Sequence, residues 1–221
     1  MLRRPRPLLL VLFMVLFAFV ATPAQAVTLL FADLTNAQEN PPANPTTAAG
    51  GFRPASFGTA TFALNDARTA LTFSSTVFNI DFTGSQTPDR NDNLTVAHIH
   101  ASPNVTPKTN GPVVWGFIGA PFNDTNPRDV VVTPFSTGVG GTVSSKWDAP
   151  EGNNTTLSAQ LSNVLGGRSY INFHTVQFPG GEVRGNISVA PEPSTWLLWI
   201  SGVAGLYGFR RLHTRRSFET N

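Results

Sequence analysis

The chain has 221 residues, no cysteine and a formal net charge of +2. Seven of its fifteen Lys and Arg lie in residues 1–26 and 191–221, so residues 27–190 carry eight basic against eleven acidic side chains. That body, near −3, lacks the basic footprint of a nucleic-acid partner. The absence of cysteine excludes a disulfide framework, and packing alone must hold a domain of this size.

In chain order, MLRRPRPLLLVLFMVLFAFVATPAQAVT comes first, with three arginines and then an apolar run from Leu8 to Val20. Ala24 and Ala26 stand at the −3 and −1 positions of a cut before Val27, where signal peptidase accepts only small side chains. Residues 1–26 therefore read as a secretory signal helix, with an uncleaved anchor as the alternative.

The body reads as strands. Period-2 alternation recurs in VTLLFAD (27–33), TATFAL (59–64), LTFSSTVF (71–78), LTVAHIH (94–100), VVWGFI (113–118) and DVVVTPF (129–135). It continues in TTLSAQLSNV (155–164), SYINFHT (169–175) and GEVRGNISV (181–189). Asn65-Asp66, Gly166-Gly167 and Pro179-Gly180-Gly181 are turn signals, while residues 36–56, 119–128 and 137–154 read as longer loops. Nine short strands with such turns predict an all-β fold over residues 27–190, a single antiparallel β-sandwich with a closed barrel as the alternative.

Residues 191–221 open on Pro191-Glu192-Pro193, which neither a strand nor a helix interior accommodates. An uncharged stretch from Trp196 to Phe209 follows, then Arg210, Arg211, Arg215 and Arg216. The abrupt basic stop favours a short transmembrane helix with its arginines on the cytoplasmic side over a buried core helix.

Strand parity brings the chemistry-bearing residues together. His98 and His100 share one face opposite Ala97 and Ile99. Tyr170, Asn172 and His174 share a face opposite Ile171 and Phe173, and Glu182, Arg184 and Asn186 align against Val183 and Ile187. If the three strands are neighbours, one polar face gathers three imidazoles, a carboxylate, a guanidinium and an amide. Three histidines suffice for zinc or copper with an open coordination position, so His98, His100 and His174 are the candidate ligands. The alternative is a hydrogen-bonded network locking the sheet, with Glu182 pairing Arg184 or a histidine. A copper–zinc superoxide dismutase also carries a His-x-His strand, but needs further histidines, an aspartate and a cysteine pair that this chain lacks. No nucleophile elbow, phosphate loop or HExxH occurs, and no catalytic residue is assigned. Asp89 and Asp92 read as solvated turn residues.

Four pieces in order resemble the chordin-type CHRD domain: LTNAQENPP (34–42), AHIHASPN with GPVVWGF (97–104, 111–117), SYINFHT (169–175) and FPGGEVRGNI (178–187). The resemblance implies an immunoglobulin-like β-sandwich or barrel, and in bacteria an exported protein. The tail from Pro191 resembles the PEP-CTERM sorting signal of Gram-negative bacteria. That resemblance implies an exosortase-like membrane protease as partner, transient residence in the inner membrane and delivery to the cell surface. The expected function is a non-enzymatic surface or matrix module, associated with a biofilm or exopolysaccharide and binding a polymer or partner. The alternative is a metal-binding or metalloenzyme domain built on the three histidines.

Overall fold

The computed structural model describes residues 27–190 and, beyond them, Val203 alone. The signal helix expected at 1–26 and the sorting segment with its transmembrane helix at 191–221 lie outside the described residues, Val203 excepted. Among the described residues no helix is long and apolar enough to cross a membrane.

Ten strands and one α-helix make up the domain. In chain order these are β1 (Thr28–Thr35), β2 (Phe57–Leu64), β3 (Ala70–Phe78), β4 (Leu94–Ala101), β5 (Val113–Ile118), β6 (Val131–Pro134) and β7 (Gly140–Asp148). The helix α1 (Leu157–Leu165) precedes β8 (Ser169–Thr175), β9 (Val183–Asn186) and β10 (Ser188–Val189). All pair antiparallel in one path, β5-β4-β8-β9-β1-β2-β3-β7-β6, with β10 also on β1.

The sheet curls so that its two halves face one another, as the halves of a sandwich do, but the path runs continuously through β9 and β1. Among the described residues no ladder joins β5 to β6, so the closed barrel of the alternative reading does not form. The join is narrow, with Thr35 opposite Arg184 and Leu30 opposite Val189. Gly185 permits it: a Cβ there would stand 2.7 Å from the Asp33 carbonyl oxygen and 3.0 Å from Ala32 Cβ.

Aromatic rings fill the space between the halves. Trp115 of β5 stacks on Trp147 of β7 with centroids 5.7 Å apart, and Phe73 of β3 meets Phe117 of β5 edge-on at 4.8 Å. Each buried indole finds an acceptor on Glu151: Trp115 Nε1 donates to its Oε2 at 3.2 Å, and Trp147 Nε1 to its backbone oxygen at 2.8 Å. Oε1 of the same carboxylate accepts from the backbone of Thr125 and Asn126, which pins the 119–128 loop beside β5.

Two segments depart from the pattern-based reading. TTLSAQLSNV is a helix, not a strand: Leu157, Leu161, Val164 and Leu165 fit the 3.6-residue period, and the Thr156 hydroxyl caps the helix by accepting from the Ala159 N–H. Much of 137–154 is strand β7 rather than loop. Val143, Ser145 and Trp147 point inward and Ser144 outward, a period of two that the run of glycines before it obscures. Asp92 is also not solvated. It is buried and accepts from the Thr87 hydroxyl, and burial raises its carboxyl above the usual range.

Candidate metal centre

Strand β4 has both faces buried: Ala97 and Ile99 join the apolar core, and His98 and His100 point to the other side. The register with β8 sets Val96 opposite His174, His98 opposite Asn172, and His100 opposite Tyr170. The register of β8 with β9 sets Asn172 opposite Arg184. The three strands expected to be neighbours are therefore neighbours in the order β4-β8-β9, and the face they share is not open to water. His98, His100 and His174 are 4%, 8% and 6% exposed.

Loops cover that face. Asn40 Nδ2 donates to the Lys108 carbonyl and Asn110 Nδ2 to the Asn40 carbonyl, both at 2.8 Å, which clasps the 36–56 loop to the 102–112 loop. Arg184 holds the second loop from below, donating to Asn110 Oδ1 at 2.9 Å and to the Thr106 carbonyl at 2.7 Å. Glu182 holds the first. Its carboxylate accepts from Arg53 at 2.7 and 2.8 Å, from the Thr175 hydroxyl at 2.6 Å and from the Ser56 hydroxyl. Glu182 thus pairs with Arg53, not with Arg184 or an imidazole, and does not join the histidines as parity predicted.

One ring nitrogen from each of His98, His100 and His174 lies within 4.8 Å of the other two. Bonds of about 2.1 Å to a central ion bridge that span once the rings turn inward by on the order of an ångström. Each imidazole is held by a backbone carbonyl. His98 Nε2 donates to Ala120 O at 3.2 Å, His100 Nδ1 to Gly111 O at 2.9 Å and His174 Nδ1 to Pro179 O at 2.8 Å. A carbonyl can only accept, so these contacts fix the tautomers and leave a lone pair on His98 Nδ1, His100 Nε2 and His174 Nε2. The first two are buried with no hydrogen-bond partner. His174 Nε2 lies 3.1 Å from the Asn172 carboxamide, the one neighbour that can turn its NH2 group to a lone pair.

Electrostatics keeps the rings neutral. Burial, reinforced by the neighbouring His174, lowers His98 to about 4. Burial also lowers His100 to about 4, with the other two histidines and Arg184 adding to the effect, and it lowers His174. Neutral imidazole is the ligand form, and a backbone acceptor on the second nitrogen is the usual orienting contact of a ligating histidine.

Parity placed Tyr170 on this face without giving it a role, and it missed Glu39 altogether. Tyr170 stacks on His100 with centroids 4.5 Å apart, and the Arg184 guanidinium lies 3.6 Å over the other side of the phenol, completing a three-layer stack. Glu39, the acidic residue before the paired prolines, is buried under Gly181. Desolvation pushes its carboxyl up to about 7, against the pull of Arg184 and Asn172. Gly181 has φ 126°, and a Cβ there would collide with the Glu39 carboxylate and stand 2.8 Å from Asn172 Nδ2. Gly181→Ala is therefore expected to cost about 2 kcal/mol or more of unfolding free energy, checked by urea denaturation.

An all-β domain with a buried, neutral three-imidazole cluster is the class of protein that fold and site define. The CHRD domain family model matches residues 30–187, and the chain belongs to that family. No curated protein and no solved structure matches the chain.

Proposed function

We propose that this chain is an exported module whose CHRD domain binds one transition-metal ion, zinc or copper, through His98, His100 and His174. The observation that carries the reading is the pair of buried, unpartnered nitrogens, His98 Nδ1 and His100 Nε2, on rings whose other nitrogens are anchored to backbone. A purely structural network would satisfy such groups, because a buried acceptor without a partner costs about 1–3 kcal/mol. Three neutral imidazoles supply the ligands, and no residue takes a catalytic role in this reading. Elemental analysis of protein produced with zinc and copper in the medium is expected to give one ion per chain. A folded, metal-free product under both conditions would contradict it.

The module is placed at the cell surface or in the extracellular matrix, where it binds an extracellular polymer or partner. Support comes from the order of features at the ends: an apolar run closed by Ala24 and Ala26, then Pro191-Glu192-Pro193, an uncharged stretch and a basic finish. Signal peptidase and an exosortase-like membrane protease are the partners this implies, with passage through the inner membrane. Intact mass spectrometry of protein released from cells is expected to show a chain starting near Val27 and lacking the residues after Pro193. Full-length chain recovered soluble in the cytoplasm would contradict export.

A further inference from the structure

We infer that the ion selected by the three imidazoles is monovalent copper, Cu(I), in preference to divalent zinc. The inference rests on the metal-binding reading and adds the charge of the ion. Every donor in the cluster is a neutral imidazole; among the described residues no carboxylate joins it, and the chain has no cysteine to supply a thiolate. The fixed charge stacked against the site is positive: Arg184 lies over Tyr170, and Tyr170 over His100. The three rings are nearly sealed from water.

The cost of moving an ion from water into such a site grows with the square of its charge, so a divalent ion costs about four times a monovalent one of equal size. Neutral nitrogens return only ion–dipole energy, and the buried guanidinium repels a second positive charge more than a single one. Coordination number points the same way. Zinc completes a tetrahedron with a fourth ligand, whereas the space beside His174 Nε2 is taken by the Asn172 carboxamide, itself hemmed in by Gly181 and Glu39. Three nitrogens with no anion match a low-coordinate monovalent ion.

Competition titrations on the full chain in detergent test this. A chromophoric cuprous chelator measures Cu(I) affinity under anaerobic conditions, and a fluorescent zinc chelator measures Zn(II) affinity at the same neutral pH. The expected result is one Cu(I) per chain, held at least ~100-fold more tightly than Zn(II). Asn172→Asp puts a carboxylate where the carboxamide now lies, 3.1 Å from His174 Nε2. It is expected to shrink that ratio by ~10-fold or more, since added negative charge favours the divalent ion. Zinc bound as tightly as Cu(I), or an unchanged ratio in a folded Asn172→Asp chain, overturns the cuprous assignment and leaves metal binding standing. Uptake of neither ion by folded protein overturns both. Where the variant fails to fold, the ratio in the unsubstituted chain decides.

Discussion

In the metal-free state the folded domain is expected to lose stability as pH falls from near neutrality to about 4. His98 and His100 are lowered to about 4 by burial, while the unfolded chain takes up their protons near 6.5. Below that value the unfolded state binds more protons than the native state, so acid favours unfolding, and the loss stops accumulating once the native rings protonate. Each ring contributes roughly 3 kcal/mol across this window, and the two do not simply add, because neighbouring histidines lower one another. His174 is lowered in the same direction.

Glu39 opposes them. Its carboxyl, raised to about 7, takes a proton in the native state before the unfolded chain does, and so gains stability as pH falls toward 4.5. The net expectation is a loss on the order of 3 kcal/mol in urea unfolding followed across the range. Glu39→Gln removes the opposing contribution and roughly doubles the loss. A stability that stays flat from neutrality to about pH 4.5 in both proteins would contradict the buried neutral cluster.

Arg53→Ala is expected to lower the unfolding free energy by about 3–5 kcal/mol. Arg53 donates to both oxygens of Glu182, with side chains 4% and 0% exposed, and its removal strands a buried carboxylate with only the Ser56 and Thr175 hydroxyls. The same pair anchors the 36–56 loop to the segment entering β9, so the loss should appear as increased proteolysis within 36–56. Arg53→Met, which retains much of the packing volume without the charge, is expected to be equally costly. A loss below about 1 kcal/mol for either variant would show that Glu182 is held mainly by its hydroxyl partners.

The site was legible in the sequence to the extent that strand parity controls it. His98, His100, His174, Asn172 and Arg184 lie on strands where a period of two decides the face, and their neighbours obey the same rule, so the face could be written down from residue order. What parity does not carry is the roof. Arg53 and Glu39 sit in a Pro- and Ala-rich loop with no periodicity, so the partner of Glu182 and the carboxyl beneath Gly181 emerge only when that loop folds back over β8. The fold was legible for the same reason and failed where two periods compete. Thr155-Thr156 and the alternating small residues of 157–164 mimic a strand, yet the Thr156 cap and the leucines four apart decide for helix. In β7 two adjacent glycines hide a strand whose Trp147 is among the largest side chains of the core. Continuity of the sheet through β9 and β1 depends on a single close approach at Gly185, which no local pattern announces.

The most direct measurement is a metal titration of the full chain and of His98→Ala, His100→Ala and His174→Ala, with circular dichroism confirming that each variant is folded. The geometry predicts one equivalent of copper or zinc bound by the unsubstituted chain and loss of stoichiometric binding in every variant, since two imidazoles cannot replace three. Binding that survives any one of the three substitutions, or an unsubstituted folded chain that takes up no ion, would contradict it.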